Sequence, residues 1–333
     1  MKIDNIWVEL ANDISTSPGL LLRRYSGTVL PDVFIALTKP EKYRCIAAAI
    51  SKSLTIELPT QVNLKDISVE VIFDSPIKSK KVLLFKLMNN EYSDIFSILC
   101  EDMISNISEI QEEKNLIQEL LSRFEKWRSL FDKAASHGLS ENEQRGLFGE
   151  LYFLRKLIAT KGVSLHVIES WVGSEKQIKD FQFGKWCVEV KTTHGNNHQK
   201  VHISSERQLD ISNLDNLYLF HISLDIRQNS GESLNEIIHF IIDLLQSDFI
   251  SLNRFNSKLL EVGYFKKHKH LYDSKGYFIR QDLFYKIENE FPRIEEAEIR
   301  KGVGDVKYSI VVSQCSKFIK TEQEVMQGLN FYD

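Results

Sequence analysis

Residues 180–191 alternate with a period of two. Phe181 and Phe183 precede a Gly184-Lys185 pair, and Trp186, Val188 and Val190 follow it, with Asp180, Gln182, Cys187, Glu189 and Lys191 filling the other positions. That period marks half-buried strands, and glycine first in a two-residue loop suits a type II′ turn. The turn sets the register: Phe183 opposite Trp186, Gln182 opposite Cys187, Phe181 opposite Val188 and Asp180 opposite Glu189. The two carboxylates then share one face, with Cβ atoms about 4.5–5.5 Å apart. Lys191, two residues beyond Glu189, shares that face.

Upstream, short apolar or alternating runs at residues 33–37, 43–50, 67–73 and 82–87 are separated by polar, proline- or lysine-containing turns. This pattern predicts a small, mostly antiparallel β domain. The basic groups Arg23-Arg24 and Lys78, Lys80, Lys81 read as solvated turns. Two helices are expected next. Residues 93–107 carry Ile95, Ile98, Leu99 and Met103 at helical spacing, and residues 112–133 carry Leu116, Leu120, Phe124, Trp127 and Phe131 on one stripe. The small-residue stretch 134–138 is the expected boundary, giving a β-rich domain with helical connector (1–135) and a second domain (136–333).

A third helix opens on Ser140-Glu-Asn-Glu143, a capping-box pattern, and runs to about residue 159. Glu150 lies beside Leu147, Leu151 and Leu154, so it either points along the buried side or snorkels to water. A short strand is expected at 164–168, strand extension at 201–203, a capped short helix at 204–210 and a long interior strand at 217–226. Helices at 234–249 and near 252–260 and strands at 277–287 and 308–314 complete the reading.

Composition limits the function classes. The 333 residues are 43% hydrophobic and 26% charged, enough for two domains with separate cores. No apolar run reaches the roughly 18 residues that span a bilayer. The opening residues lack the apolar segment of a secretory signal. Cys45, Cys100, Cys187 and Cys315 are scattered without a Cys-x-x-Cys pair, which points to a reducing cytoplasm. A net charge of −4 gives no general attraction to nucleic acid, although phosphate contacts depend on a local patch.

Facing carboxylates repel unless a positive charge lies between them. A divalent cation resolves the conflict in the Asp180, Glu189, Lys191 triplet, and hard oxygen ligands on a well-hydrated ion suit Mg²⁺. Lys191 is then placed to orient or polarise a metal-bound water. The alternative is an exposed hairpin whose lysine neutralises one acid. His194, His198 and His202 have a spacing that would align on a helix as zinc ligands, but Gly195-Asn196-Asn197 favours a turn. His221 reads as a hydrogen-bonded core residue. The cluster at 266–270 reads either as a phosphate contact or as an exposed loop.

Several runs then combine: Gln-Arg-Gly-Leu-Phe-Gly-Glu-Leu at 144–151, Trp171-Val172-Gly173, Asp180-Phe181, Val-Glu-Val-Lys-Thr-Thr at 188–193, Ile-Ser-Ser-Glu-Arg-Gln-Leu at 203–209 and Leu217-Tyr218-Leu219. Together they resemble the bacterial PD-(D/E)XK motif proteins of the restriction-endonuclease-like superfamily. Phe291-Pro292-Arg293-Ile294, residues 306–310 and Cys315 also fit, so the resemblance covers most of the chain. It implies an α/β (α+β) fold with a mixed central sheet flanked by helices, built as a helix, a three-strand meander, a second helix and a fourth strand. It also implies a Mg²⁺-dependent endonuclease acting on DNA, with Mn²⁺ able to substitute. Asp180, Glu189, the Val190 carbonyl and Glu150 would hold the metal, Lys191 would be the catalytic lysine, and Gln208, with Ser205, would position water or a phosphate oxygen. Lys179 stands where the family name has proline. The implied context is host defence alongside DNA-modifying or ATP-driven partner proteins. A non-catalytic DNA-binding or scaffolding subunit and an RNA-directed nuclease are the alternative readings.

Overall fold

In the computed structural model the chain folds as two compact units, Met1–Ser136 and His137–Asp333. The structure describes residues 3–13, 18–56, 58, 66–74, 77, 79–134, 138–175, 177–195, 199–288 and 290–329.

Among the described residues of the first unit, helix α1 (Ile3–Ala11) is followed by five strands: β1 (Gly19–Arg24), β2 (Val33–Lys39), β3 (Arg44–Ser51), β4 (Ile67–Ile72) and β5 (Lys80–Leu87). They form one antiparallel sheet in the order β1-β2-β3-β5-β4. Helices α2 (Ser93–Ile107) and α3 (Glu113–Ala134) follow, and Phe124 of α3 packs its ring 5.4 Å from that of Phe85. The described basic residues lie on strands rather than in turns. Arg23 and Arg24 lie on β1 and pair with Glu9 and Asp32. Lys80 pairs with Glu113 at 2.7 Å, and Lys81 is buried. Lys78 and the side chain of Phe131 fall outside the described residues.

The second unit begins with α4 (Glu141–Lys161), whose Ser140–Glu143 capping box forms as the sequence indicates. Next come α5 (Leu165–Glu169), β6 (Phe181–Phe183), β7 (Trp186–His194), β8 (Lys200–Ile203), β9 (Asn216–Gln228), β10 (Glu232–Ser233), α6 (Leu234–Leu245), α7 (Phe249–Glu261), β11 (Lys275–Ile287), β12 (Tyr308–Val311), β13 (Ile319–Lys320) and α8 (Glu322–Gly328). The central sheet runs β10-β11-β9-β7-β6, with β13 also on β11. β7 and β9 are parallel, and the other pairs are antiparallel.

Alternation gives the sheet two buried faces. Phe181, Val188, Val190, Phe220 and Phe284 pack beneath α4 and α6, with Phe220 and Phe284 stacked at 4.2 Å and Phe153 of α4 edge-on to Phe181 at 4.7 Å. Cys187, Leu217, Leu219, Tyr285 and Ile287 face the other way, against Val201, Ile203, Ile310 and Val312. This is a mixed α+β fold consistent with a PD-(D/E)XK-like core. No helix among the described residues is long and apolar enough to cross a membrane.

Several local expectations change. The strand expected at 164–168 is replaced by the helix Leu165–Glu169, because the Ser164 hydroxyl caps the first turn by accepting the Val167 N–H. The first strand of the expected meander is reduced to a bridge between Trp171 and Phe181. β8 joins β12 in a separate two-stranded sheet instead of extending the central one. The helix expected at 234–249 ends at Leu245, and Asp248 caps a new helix through Ser251.

Candidate active site

The acidic residues lie where the hairpin forks. The ladder runs through Phe183–Trp186, Gln182–Cys187 and Phe181–Val188, with Gly184 at φ 59°. The expected Asp180–Glu189 rung does not continue it. Instead the Asp180 carbonyl accepts the Val172 and Gly173 N–H groups, both at 2.9 Å. Asp180 Oδ2 accepts the Val190 N–H at 2.7 Å, a bond that the Lys179 carbonyl would accept in a continued ladder. The N–H and C=O of one strand residue point to the same edge, so the Val190 carbonyl also faces the fork rather than β9.

Glu189 is 0% exposed. Lys191 Nζ lies 2.6 Å from its Oε1 as an ion pair. The other Glu189 oxygen, Oε2, has no donor. A fully buried carboxylate left this way is costly unless something else satisfies it.

Glu150 reaches the fork because α4 rests directly on β7. A Cβ at the adjacent Gly149 would lie 2.4 Å from Thr192 Cγ2, so only glycine permits this approach. Of the two sequence readings of Glu150, the structure supports the inward one. Its Oε2 accepts the Trp171 indole N–H at 2.6 Å. Gly173 separates it from Asp180: a Cβ there would sit 2.9 Å from Asp180 Oδ1, 3.1 Å from Asp180 Cα and 3.2 Å from Glu150 Oε2. The two carboxylate oxygens are therefore no more than about 6 Å apart. Gly173→Ala should cost about 1–3 kcal/mol, as overpacking does, because the Asp180 backbone cannot yield. A denaturation midpoint equal to wild type would contradict this placement.

Burial raises Glu189 to about 8; the charge of Asp180 adds to the rise and Lys191 opposes it. Burial likewise raises Glu150 to about 8, with Asp180 again adding and the indole bond opposing. Asp180 is raised by burial against the pull of Lys191 and the Val190 N–H. For Lys191, burial disfavours the charge, but Glu189 and Asp180 outweigh it and the ammonium is held protonated. Three neighbouring acids pushed toward neutrality mark a site short of positive charge.

The donors on offer are carboxylate oxygens and one backbone carbonyl. With Glu189 Oε2 left without a donor, they fit a hard divalent ion that keeps several waters. Among the described residues, no three His, Cys, Asp or Glu side chains form a complete ligand group. The fork holds its acids near one another rather than around one point.

Gln208 sits on a 3-10 turn (Glu206–Leu209) capped by Ser205, whose Oγ accepts the Arg207 N–H at 3.3 Å. The Gln208 amide oxygen accepts from Ser204 N and Oγ at 2.9 and 3.0 Å, so it is used within its own turn. The link to the fork is Lys179, whose Nζ donates to the Arg207 and Gln208 carbonyls, each at 2.6 Å, and to that of Asp210 at 3.2 Å. Lys179, the residue before Asp180, thus ties the end of this turn to the fork. Lys179→Met should cost about 1–3 kcal/mol through the stranded carbonyls. Amide exchange at residues 204–210 should speed up, and unchanged exchange there would contradict the role of the tie.

A family model described as "Putative PD-(D/E)XK family member, (DUF4420)" matches residues 3–313. The chain belongs to this PD-(D/E)XK family. No curated protein and no solved structure matches it. The residues in which the sequence resembles the name motif lie at the fork, Asp180 at its mouth and Glu189-Val190-Lys191 on β7.

Other candidate residues of this PD-(D/E)XK chain are engaged elsewhere. His194 is exposed at the end of β7, His202 Nδ1 pairs with Ser309 Oγ at 2.9 Å, and His198 lies outside the described residues. His221 is a buried residue bonded through Nε2 to Thr193 Oγ1 at 2.8 Å. The 266–270 cluster forms a 3-10 turn with His268 buried and Lys269 beside His239. Sequence reasoning missed the roles of Trp171, Gly173 and Lys179 at the fork. The one available signal was tryptophan itself, whose indole N–H needs a partner once buried.

Proposed function

We propose that the second unit of this PD-(D/E)XK family member is a Mg²⁺-dependent nuclease hydrolysing phosphodiester bonds in DNA, with Mn²⁺ able to replace Mg²⁺. The observation that carries this reading is Glu189, fully buried with Oε2 without a donor and Oε1 held only by the Lys191 ammonium at 2.6 Å, beside a second acid. Asp180, Glu189 and the Val190 carbonyl are the proposed metal donors, and Glu150 completes the shell. A divalent ion bound there would acidify a water and offset charge on the phosphate. Lys191, kept protonated by its acidic neighbours, stabilises negative charge on the attacking oxygen or the phosphate. Gln208 and Ser205 orient water or a phosphate oxygen, with the turn that bears them held by Lys179. The setting we propose is bacterial defence, with DNA-modifying or ATP-driven partner proteins.

The test is cleavage of supercoiled, linear and single-stranded DNA by the purified chain with Mg²⁺ or Mn²⁺, alone and with neighbouring defence proteins. Intact DNA under every condition would count against the enzyme. One observation favours the rival reading, a non-catalytic DNA-binding or scaffolding subunit: the absence, among the described residues, of a converged three-ligand group. Metal-independent DNA binding without cleavage is what that rival predicts.

A further inference from the structure

Trp171 touches three parts of the second unit at once. Its ring is 0% exposed and lies 6.0 Å from Phe255 of α7. Its backbone makes the bridge to Phe181 at the start of the hairpin. Its carbonyl accepts from the fully buried Lys258 Nζ at 2.5 Å. Lys258 is in turn held by Glu175 Oε1 at 2.9 Å, with Ser174 Oγ at 3.5 Å. A buried ammonium with these partners has little freedom, so the Trp171 main chain is fixed from behind by α7.

The other end of the residue faces the acids. The indole N–H donates to Glu150 Oε2 at 2.6 Å, the same oxygen that borders Gly173 and the Asp180 side of the fork. Hydrogen bonds from a neighbouring side chain to a ligating carboxylate fix its orientation, and losing one typically weakens metal binding 10- to 100-fold. An indole N–H suits this task because it is a donor only and does not titrate in the working range. It stays in place whether Glu150 is ionised or not.

We propose that Trp171 is a positioning residue for Glu150, transmitting the anchor formed by Lys258 of α7 with Glu175 to the carboxylate that closes the metal site. This inference rests on the nuclease reading, since it assumes that Glu150 serves a divalent ion. The carboxylate would otherwise be free to swing away from Asp180, and burial alone would not choose its rotamer.

The test uses the full chain and Mn²⁺ itself, read by titration calorimetry, with DNA absent. Trp171→Phe keeps an aromatic ring against Phe255 while removing the N–H together with part of the indole's bulk. Wild type is expected to bind Mn²⁺, and Trp171→Phe to bind it about 10- to 100-fold more weakly. Equal affinities in the two proteins would overturn the positioning role while leaving the nuclease reading intact. No Mn²⁺ binding by wild type would overturn both. A second measurement needs no core substitution: indole ¹⁵N–H spectra of wild type, in which four tryptophans report separately. Adding Mg²⁺ should move one indole resonance, and that resonance should be the one absent from Trp171→Phe or, if that variant does not fold, the one displaced in Glu150→Gln. A Trp171 signal unmoved by Mg²⁺ that does bind would overturn the proposal.

Discussion

Lys191→Met is expected to lower the rate of DNA cleavage at saturating substrate by about 10²–10³-fold, as losing one charge-stabilising donor does, without preventing folding or DNA binding. Removing one member of a buried ion pair ordinarily destabilises by about 3–5 kcal/mol, because the other charge is stranded. Here the stranded group is Glu189, which burial has already raised to about 8. Glu189 therefore already holds its proton at neutral pH in the metal-free chain, and losing Lys191, which opposes that rise, strengthens its hold, so most of that cost is avoided. Methionine also keeps the apolar stem of the side chain. The rate should therefore fall much further than the stability. Single-turnover cleavage with Mg²⁺, beside a denaturation curve, measures both. A variant that cuts as fast as wild type would remove Lys191 from the chemistry and favour the scaffold reading.

How much of this was legible beforehand depends on where each signal lay. The hairpin could be read because its alternation and its Gly184-Lys185 turn are local and agree with each other, and three rungs form in the expected register. α4 could be read because Ser140 and Glu143 form a capping box within four residues. The fork could not be read. Whether a ladder continues past Phe181 depends on what else competes for the Val190 N–H, and the winner, the Asp180 carboxylate, was expected to lie across from Glu189. Residues 164–168 misled because five apolar and polar positions fit either period, and Ser164 as a cap decides the matter. β8 and β12 pair across more than a hundred residues, and no local pattern announces such a pairing. β1 was hidden by its charges: Arg23 and Arg24 lie on an edge strand, where charge discourages unwanted pairing.

The same logic accounts for the candidate site. The acids and the lysine could be named because they lie on one short stretch with a fixed face. The groups that hold them could not, since Trp171, Lys258 and Lys179 act through the third dimension. Each supplies a hydrogen bond that only the folded chain brings within reach.

Glu189→Gln should make the metal-free protein more stable at pH 8 while abolishing cleavage. A carboxyl whose folded pKa is raised above its unfolded value of 4.5 keeps a proton that the unfolded chain gives up. Between those two values the unfolded state binds fewer protons, so stability falls as pH rises from about 5 to about 8 and is flat below that window. Each pKa unit of difference corresponds to about 1.4 kcal/mol. Glu150 is raised in the same window, and each of the two feels Asp180. One substitution therefore relieves only part of the strain, about 2–3 kcal/mol at pH 8 on that scale. For a unit of this size that is a rise of about 5–10 °C in melting temperature. At pH 5 both proteins should melt together, because Glu189 is then protonated and the amide offers no advantage. Adding Mg²⁺ at pH 8 should stabilise wild type, since a ligand that binds only the folded state shifts the equilibrium toward it. The glutamine variant should respond weakly. Melting curves at pH 5 and 8, with chelator and with Mg²⁺, contain the whole test. A wild type equally stable across that range without metal, or a glutamine variant weaker at pH 8, would mean that Glu189 is already satisfied in the folded chain and that no cation is needed at the fork.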